Sequence, residues 1–206
     1  MLTLDKIYHA AFVLKDVARK TDLIEAPRLS KDCQLYLKTE NLQVTGSFKV
    51  RGAYYKISTM SSDEREKGLI TASAGNHAQG VAYAAKLYGV PATIVMPTTT
   101  PLIKVNRTKG YGANVVLHGS VYDEACQKAL ELAEKSGATF VHPFNDETVA
   151  TGQGTIAMEI VQELPTVDYI LAPIGGGGLI TGVSTLAKML NPKIKVIGVE
   201  PAEAAS

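Results

Sequence analysis

Val167-Asp168-Tyr169-Ile170-Leu171-Ala172-Pro173-Ile174 is an apolar, strand-length run that leads straight into Gly175-Gly176-Gly177-Gly178 and then Leu179-Ile180-Thr181-Gly182-Val183-Ser184. A strand, a turn without side chains and a helix start make one βα unit. Four residues lacking Cβ let a ligand press against bare backbone, and their N–H groups can converge on one anion. The helix that follows adds unpaired N–H groups and the positive end of its dipole. The stretch therefore reads as a phosphate cup on an α/β scaffold.

Working outward, the same alternation recurs. Strands are expected at Leu69 to Ala72, Ala92 to Met96, Asn114 to Leu117, Thr139 to His142 and Ile194 to Val199. Helices are expected near Ala53 to Met60, Ala78 to Tyr88, Leu102 to Lys109, Asp123 to Lys135, Gly154 to Glu163 and Leu179 to Leu190. Leu4, Ile7, Tyr8, Ala11 and Leu14 keep helical spacing, so the chain opens with an amphipathic helix, and Gln34 to Lys38 alternates as a short strand. Strands separated by helices of this length need crossover connections, hence a mostly parallel sheet covered on both faces.

The 206 residues suffice for one large domain or two small ones, and the formal charge of +1 leaves no basic footprint for nucleic acid and no polybasic patch for anionic lipid. The longest apolar runs are strand-sized, so no membrane-crossing helix is expected, and Met1 to Lys20 lacks a signal-peptide core. Cys33 and Cys126 are far apart and read as buried or idle thiols, with the cytoplasm as the expected compartment.

Two further segments carry chemistry. In Thr45-Gly46-Ser47-Phe48-Lys49-Val50-Arg51-Gly52-Ala53, a lysine stands among Gly, Ser and Phe rather than on a solvated helix face. In Thr71-Ala72-Ser73-Ala74-Gly75-Asn76-His77-Ala78-Gln79-Gly80, a hydroxyl, an amide and an imidazole gather at the carboxyl end of a strand, where open α/β sheets place ligands. Each has a plain alternative: a surface lysine, and a Ser/Asn helix cap with His77 on the surface. A phosphate cup, an exceptional lysine and a polar strand-end loop together suit a cofactor bearing a phosphate, an aldehyde and a hydroxyl, namely pyridoxal phosphate. A dinucleotide-binding domain competes, with Glu200 as its acid, but no register of Gly175 to Gly182 gives G-x-G-x-x-G, and it leaves Lys49 unexplained.

With Ile94-Val95-Met96-Pro97, Lys104-Val105, His142-Pro143-Phe144 and Gly152-Gln153-Gly154-Thr155, these three motifs stand in an order and spacing that resembles the tryptophan-synthase-β-like (fold type II) pyridoxal-phosphate enzymes, specifically the threonine/serine dehydratases. The resemblance implies that Lys49 is the Schiff-base lysine and the catalytic base at the substrate Cα. It implies that Phe48 packs on the cofactor ring and Asn76 meets the ring hydroxyl. Gly175, Gly176, Gly177, Gly178 and Leu179 would hold the phosphate, and Ser73, Asn76 and His77 the substrate carboxylate. The implied reaction is β-elimination, threonine to 2-oxobutanoate and ammonia, with serine to pyruvate beside it. Racemases of the group place a serine after the position of Ser73; here Ala74 stands there and favours elimination. Glu200 lacks a second carboxylate at Ala205 or Ser206, so no metal site is expected.

By the same resemblance, residues 1–49 and 146–206 form a larger domain and residues 50–145 a smaller one with a four-stranded parallel sheet. The cofactor would lie between them, in a homo-oligomer acting on a small amino acid. The chain stops at Ser206 just after a strand, where family members continue, so the larger domain is expected to be truncated at its C-terminus and the isolated chain to hold the cofactor weakly. A serine racemase and an inactive relative that only binds a partner are the alternatives.

Overall fold

The computed structural model describes residues 1–204, so Ala205 and Ser206, invoked in the metal argument, lie outside the described residues. In chain order the elements are α1 (Leu4–Leu14), β1 (Leu23–Glu25), β2 (Tyr36–Lys38), α2 (Lys49–Ser58), α3 (Ser62–Glu66), β3 (Leu69–Ala72), α4 (Asn76–Tyr88), β4 (Ala92–Met96), α5 (Leu102–Gly110), β5 (Asn114–Leu117), α6 (Tyr122–Ser136), β6 (Thr139–Phe140), α7 (Glu147–Glu163), β7 (Tyr169–Pro173), α8 (Gly178–Leu190) and β8 (Lys195–Val199). The architecture is α/β.

The central sheet is four-stranded and parallel throughout, in the order β5-β4-β3-β6. Its middle strands are apolar runs buried on both faces, the pattern a parallel sheet covered by helices requires. One face packs Leu69, Ile94 and Met96 against Ile57, Val81 and Ala85. The other packs Ile70, Ala72 and Val95 against Ala125 and Ala129. A third core joins Ile7 of α1 to Ile156, Ile160, Val183 and Leu186 of α7 and α8, beside the parallel pair β7-β8.

Several boundaries differ from expectation for identifiable reasons. α7 begins at Glu147 rather than near Gly154, because Asp146 caps it by accepting from the Thr148 and Val149 N–H groups at 2.8 and 3.1 Å. Its glycines are packing sites rather than breaks. A Cβ on Gly152 would lie 2.7 Å from both the Arg51 carbonyl oxygen and the Gly52 Cα. One on Gly182 would strike the Ala150 carbonyl. α2, α7 and α8 thus touch backbone to backbone. α2 starts at Lys49, not Ala53, so the lysine belongs to a helix's first turn. β1 and α3 were not anticipated: β1 pairs antiparallel with β2, and α3 is set by a Ser61–Glu64 capping box. Cys33 is exposed rather than buried, while Cys126 is half-buried.

Candidate active site

The lysine segment and the glycine turn are linked through the Pro143–Phe144 step, and α4, which follows the Ser73 loop, packs on the Lys49 backbone. Lys49 opens α2, its backbone N–H donating to Ser47 Oγ at 3.3 Å. Its side chain turns inward, and Nζ donates to the Pro143 carbonyl oxygen at 2.7 Å. The amine lies 5.6 Å from the centroid of the Phe48 ring. Burial costs the ammonium its hydration, so its pKa falls below the ordinary lysine value. An amine in that state is closer to neutral than a surface lysine, as a nucleophile or base requires.

The residue after Pro143 ties this amine to the glycine turn. The Phe144 ring lies on Gly176 so closely that any Cβ there would collide with it, and a Cβ on Gly178 would sit 3.0 Å from the Phe144 carbonyl oxygen. Gly177 has φ 81°, a left-handed conformation that glycine adopts freely, and it turns the chain into α8. Gly175 and Gly177 would meet nothing within 4 Å if given a Cβ. Leu179 is half-buried and packs with the α7–α8 core. A cavity of about 460 Å³ is lined by the turn's Gly176, Gly177 and Gly178 together with His142, Phe144 and Asp146.

The Ser73 loop approaches through α4. Gly80 of that helix faces the backbone of Lys49, where a Cβ would be 3.1 Å from the lysine carbonyl oxygen. Ser73 is half-buried at the end of β3, its Oγ accepting from the Gly75 N–H at 3.3 Å. Asn76 is exposed as the first residue of α4. His77 departs from the surface placement of the plain alternative, since it is 2% exposed. Its Nε2 lies 3.1 Å from the Val141 carbonyl oxygen and so carries the proton, while buried Nδ1 has no hydrogen-bond partner. Burial pushes its pKa down to about 3, so the ring is neutral.

Sequence reasoning missed Pro143, Phe144 and the neighbouring Arg51 as contributors. The signal for the first two was an aromatic after an X-Pro step at a strand end; for Arg51 it was a charge two places after the candidate lysine. Among the described residues no group of three His, Cys, Asp or Glu side chains could hold a metal ion. The donor set, a desolvated amine linked through Pro143–Phe144 to a side-chain-free turn at a helix start, fits a group carrying an aldehyde and a phosphate. The missing Cβ atoms at 176 and 178 let Phe144 seat on the turn, whereas at Gly175 and Gly177 a Cβ would enter open space.

A family model described as "Pyridoxal-phosphate dependent enzyme" matches residues 14–206. The chain is similar to the L-threonine ammonia-lyase of Thermotoga maritima, with 54% identity over 202 residues, covering 97% of this chain and 50% of that protein. Among solved structures it is similar to the processed form of threonine deaminase isoform 2 from Solanum lycopersicum, with TM-score 0.90, 46% identity and coverage of 97% of this chain and 57% of that one. It is also similar to maize serine racemase, with TM-score 0.94, 35% identity and coverage of 97% and 61%. The chain thus spans about half the length of the curated relative it matches. No helix among the described residues is long and apolar enough to cross a membrane.

Proposed function

Because the chain belongs to the pyridoxal-phosphate dependent enzyme family, we propose that it takes part in the deamination of L-threonine to 2-oxobutanoate and ammonia by β-elimination, with L-serine to pyruvate as a side reaction. The observation that carries this reading is the inward Lys49 amine, hydrogen-bonded to Pro143, whose neighbour Phe144 lies on the glycine turn. When bound, pyridoxal phosphate supplies an aldehyde that joins the substrate amino group and a ring that accepts the electron pair left at Cα.

The chain's own residues do the rest. Lys49 Nζ would hold the cofactor's aldehyde end and would take the proton from the substrate Cα; its desolvated surroundings favour the neutral amine this needs. The N–H groups of residues 175–179 and the start of α8 would hold the phosphate. Phe48 would pack against the cofactor ring, and the Asn76 amide would meet the ring hydroxyl. Ser73, with the N–H groups of Asn76 and His77 at the start of α4, holds the substrate carboxylate. The β-hydroxyl would leave as water with one proton, equivalent to the one taken from Cα, and the released unsaturated amine would add a water to give the 2-oxo acid and ammonia.

The relatives named as threonine ammonia-lyase and threonine deaminase support threonine as substrate. Ala74 carries only a methyl group and cannot return a proton to Cα, which argues against racemisation despite the similarity to a serine racemase. The cytoplasm, a homo-oligomeric assembly, and a division into residues 50–145 against 1–49 with 146–206 complete the proposal. In the intact protein with added pyridoxal phosphate, L-threonine is expected to yield 2-oxobutanoate and L-serine pyruvate, with no D-serine. Release of no 2-oxo acid from either substrate, or D-serine as the main product, overturns the reading.

A further inference from the structure

The segment between β6 and α7 touches Lys49, His77 and the glycine turn, and one side chain bonds to two of its backbone N–H groups. His142 Nδ1 accepts from two backbone N–H groups of that segment, Phe144 at 3.3 Å and Asn145 at 2.8 Å. An imidazole nitrogen that accepts is unprotonated, so in the neutral ring the proton sits on Nε2. The two bonds fold the chain so that the Pro143 carbonyl reaches the Lys49 amine and the Phe144 ring reaches Gly176. The His142 ring also stands edge-on to Phe140 at 6.0 Å and to Phe144 at 4.7 Å, and it lines the cavity shared with the glycine turn.

We infer that His142 is a positioning residue: by accepting at Nδ1 it holds the Pro143–Phe144 step in place, and through that step sets the Lys49 amine relative to the glycine turn. This rests on the pyridoxal-phosphate reading given above. Burial lowers the imidazole's pKa and the Lys49 charge lowers it further, while Asp146 opposes them. His77 and Glu147 are the other titratable groups on this side, facing the ring and lining the same cavity respectively. The net direction favours the neutral, accepting form at neutral pH.

Two substitutions separate the acceptor from the ring. In His142→Asn, Oδ1 stands as many bonds from Cα as Nδ1 does, so the acceptor is kept and the aromatic contacts are lost. In His142→Phe, the ring is kept and the acceptor is lost. Pyridoxal phosphate binding to the intact protein is titrated by absorbance, with circular dichroism as the control for folding. His142→Asn is expected to bind close to wild type, and His142→Phe about tenfold more weakly, the effect of roughly one net hydrogen bond. A Phe variant that binds like wild type overturns the inference, as does an Asn variant impaired as much as the Phe variant. An independent readout needs no cofactor. In wild-type protein labelled with ¹⁵N-histidine, His142 Nδ1 is expected to give the signal of an unprotonated ring nitrogen at neutral pH, and a protonated Nδ1 contradicts the assignment. A wild-type protein that binds no pyridoxal phosphate but shows unprotonated Nδ1 would defeat the cofactor reading and leave the Nδ1 contact standing.

Discussion

Replacing Arg51 by methionine removes the centre of a buried charge cluster that anchors the lysine-bearing helix. Arg51 is 1% exposed. Its guanidinium donates to Glu40 at 2.9 and 2.8 Å, to Glu159 at 2.6 and 2.9 Å, to Thr155 Oγ1 at 3.2 Å and to the Arg19 carbonyl at 3.2 Å. Burial alone would lower its pKa, but the two carboxylates overcome that and raise it. Lys38 adds a second cation, pairing with Glu159 at 2.6 Å and with the Thr21 carbonyl, so two cations face two anions. Methionine would leave Glu40 with only Thr21 Oγ1 at 2.6 Å and Glu159 with only Lys38. Breaking a buried pair from one side costs about 3–5 kcal/mol, a large part of a total stability of about 5–15 kcal/mol. For a chain of this size each kcal/mol moves Tm by roughly 2–4 °C, so the melting temperature should drop by about 6–20 °C. The assay is thermal and urea unfolding followed by circular dichroism. Adding Glu40→Gln should recover about 1–2 kcal/mol, because Lys38 and Glu159 remain a balanced pair. A loss under about 1 kcal/mol, the worth of an exposed ion pair, would refute the claim that this cluster is a desolvated clamp.

Two further outcomes test the frame around the site. His77 is neutral when folded with a pKa of about 3, against an ordinary value of 6.5. Between those values the unfolded chain holds a proton that the native state lacks, so stability rises with pH across that window and is lost on acidification. The slope contributed is up to about 1.4 kcal/mol per pH unit; urea midpoints at pH 4 to 7 should show a flatter profile in His77→Gln, and equal slopes would count against the burial of this ring. Gly152→Ala places a Cβ 2.7 Å from the Arg51 carbonyl oxygen and the Gly52 Cα, and overpacking of this kind costs about 1–3 kcal/mol. Gly110→Ala, where a Cβ meets nothing within 4 Å, is the control and should be neutral or mildly stabilising; a Gly152→Ala midpoint equal to the control's would contradict the backbone-to-backbone contact.

Much of the parallel sheet was legible because its strands are short apolar runs punctuated by Gly and Pro. β4, bracketed by Pro91 and Pro97, begins at Ala92 and ends at Met96 as its pattern predicts. The glycine turn was legible for the same reason, since four residues without side chains between a strand and a helix admit few other uses. What stayed hidden depends on tertiary contact. Gly152 and Gly154 look like helix breakers in one dimension, but in three they are where α7 meets the Arg51 backbone and α8. His77, a polar residue at a helix start, gives no local sign that its ring turns inward to the Val141 carbonyl. Phe144 reaches Gly176 across more than thirty positions of chain, a distance no periodicity can bridge. Lys49 stood out only in combination with the other two segments and the family resemblance, while the partner of its amine, Pro143, follows β6.

The most direct measurement is borohydride reduction of the intact protein with pyridoxal phosphate, followed by peptide mass mapping. On the proposed reading, the amine that donates to Pro143 is the one that joins the cofactor's aldehyde. The account predicts a single pyridoxyl adduct on Lys49, abolished in Lys49→Ala while the circular dichroism spectrum is unchanged. Label spread over surface lysines such as Lys6 and Lys20, with Lys49 unmodified, would contradict it.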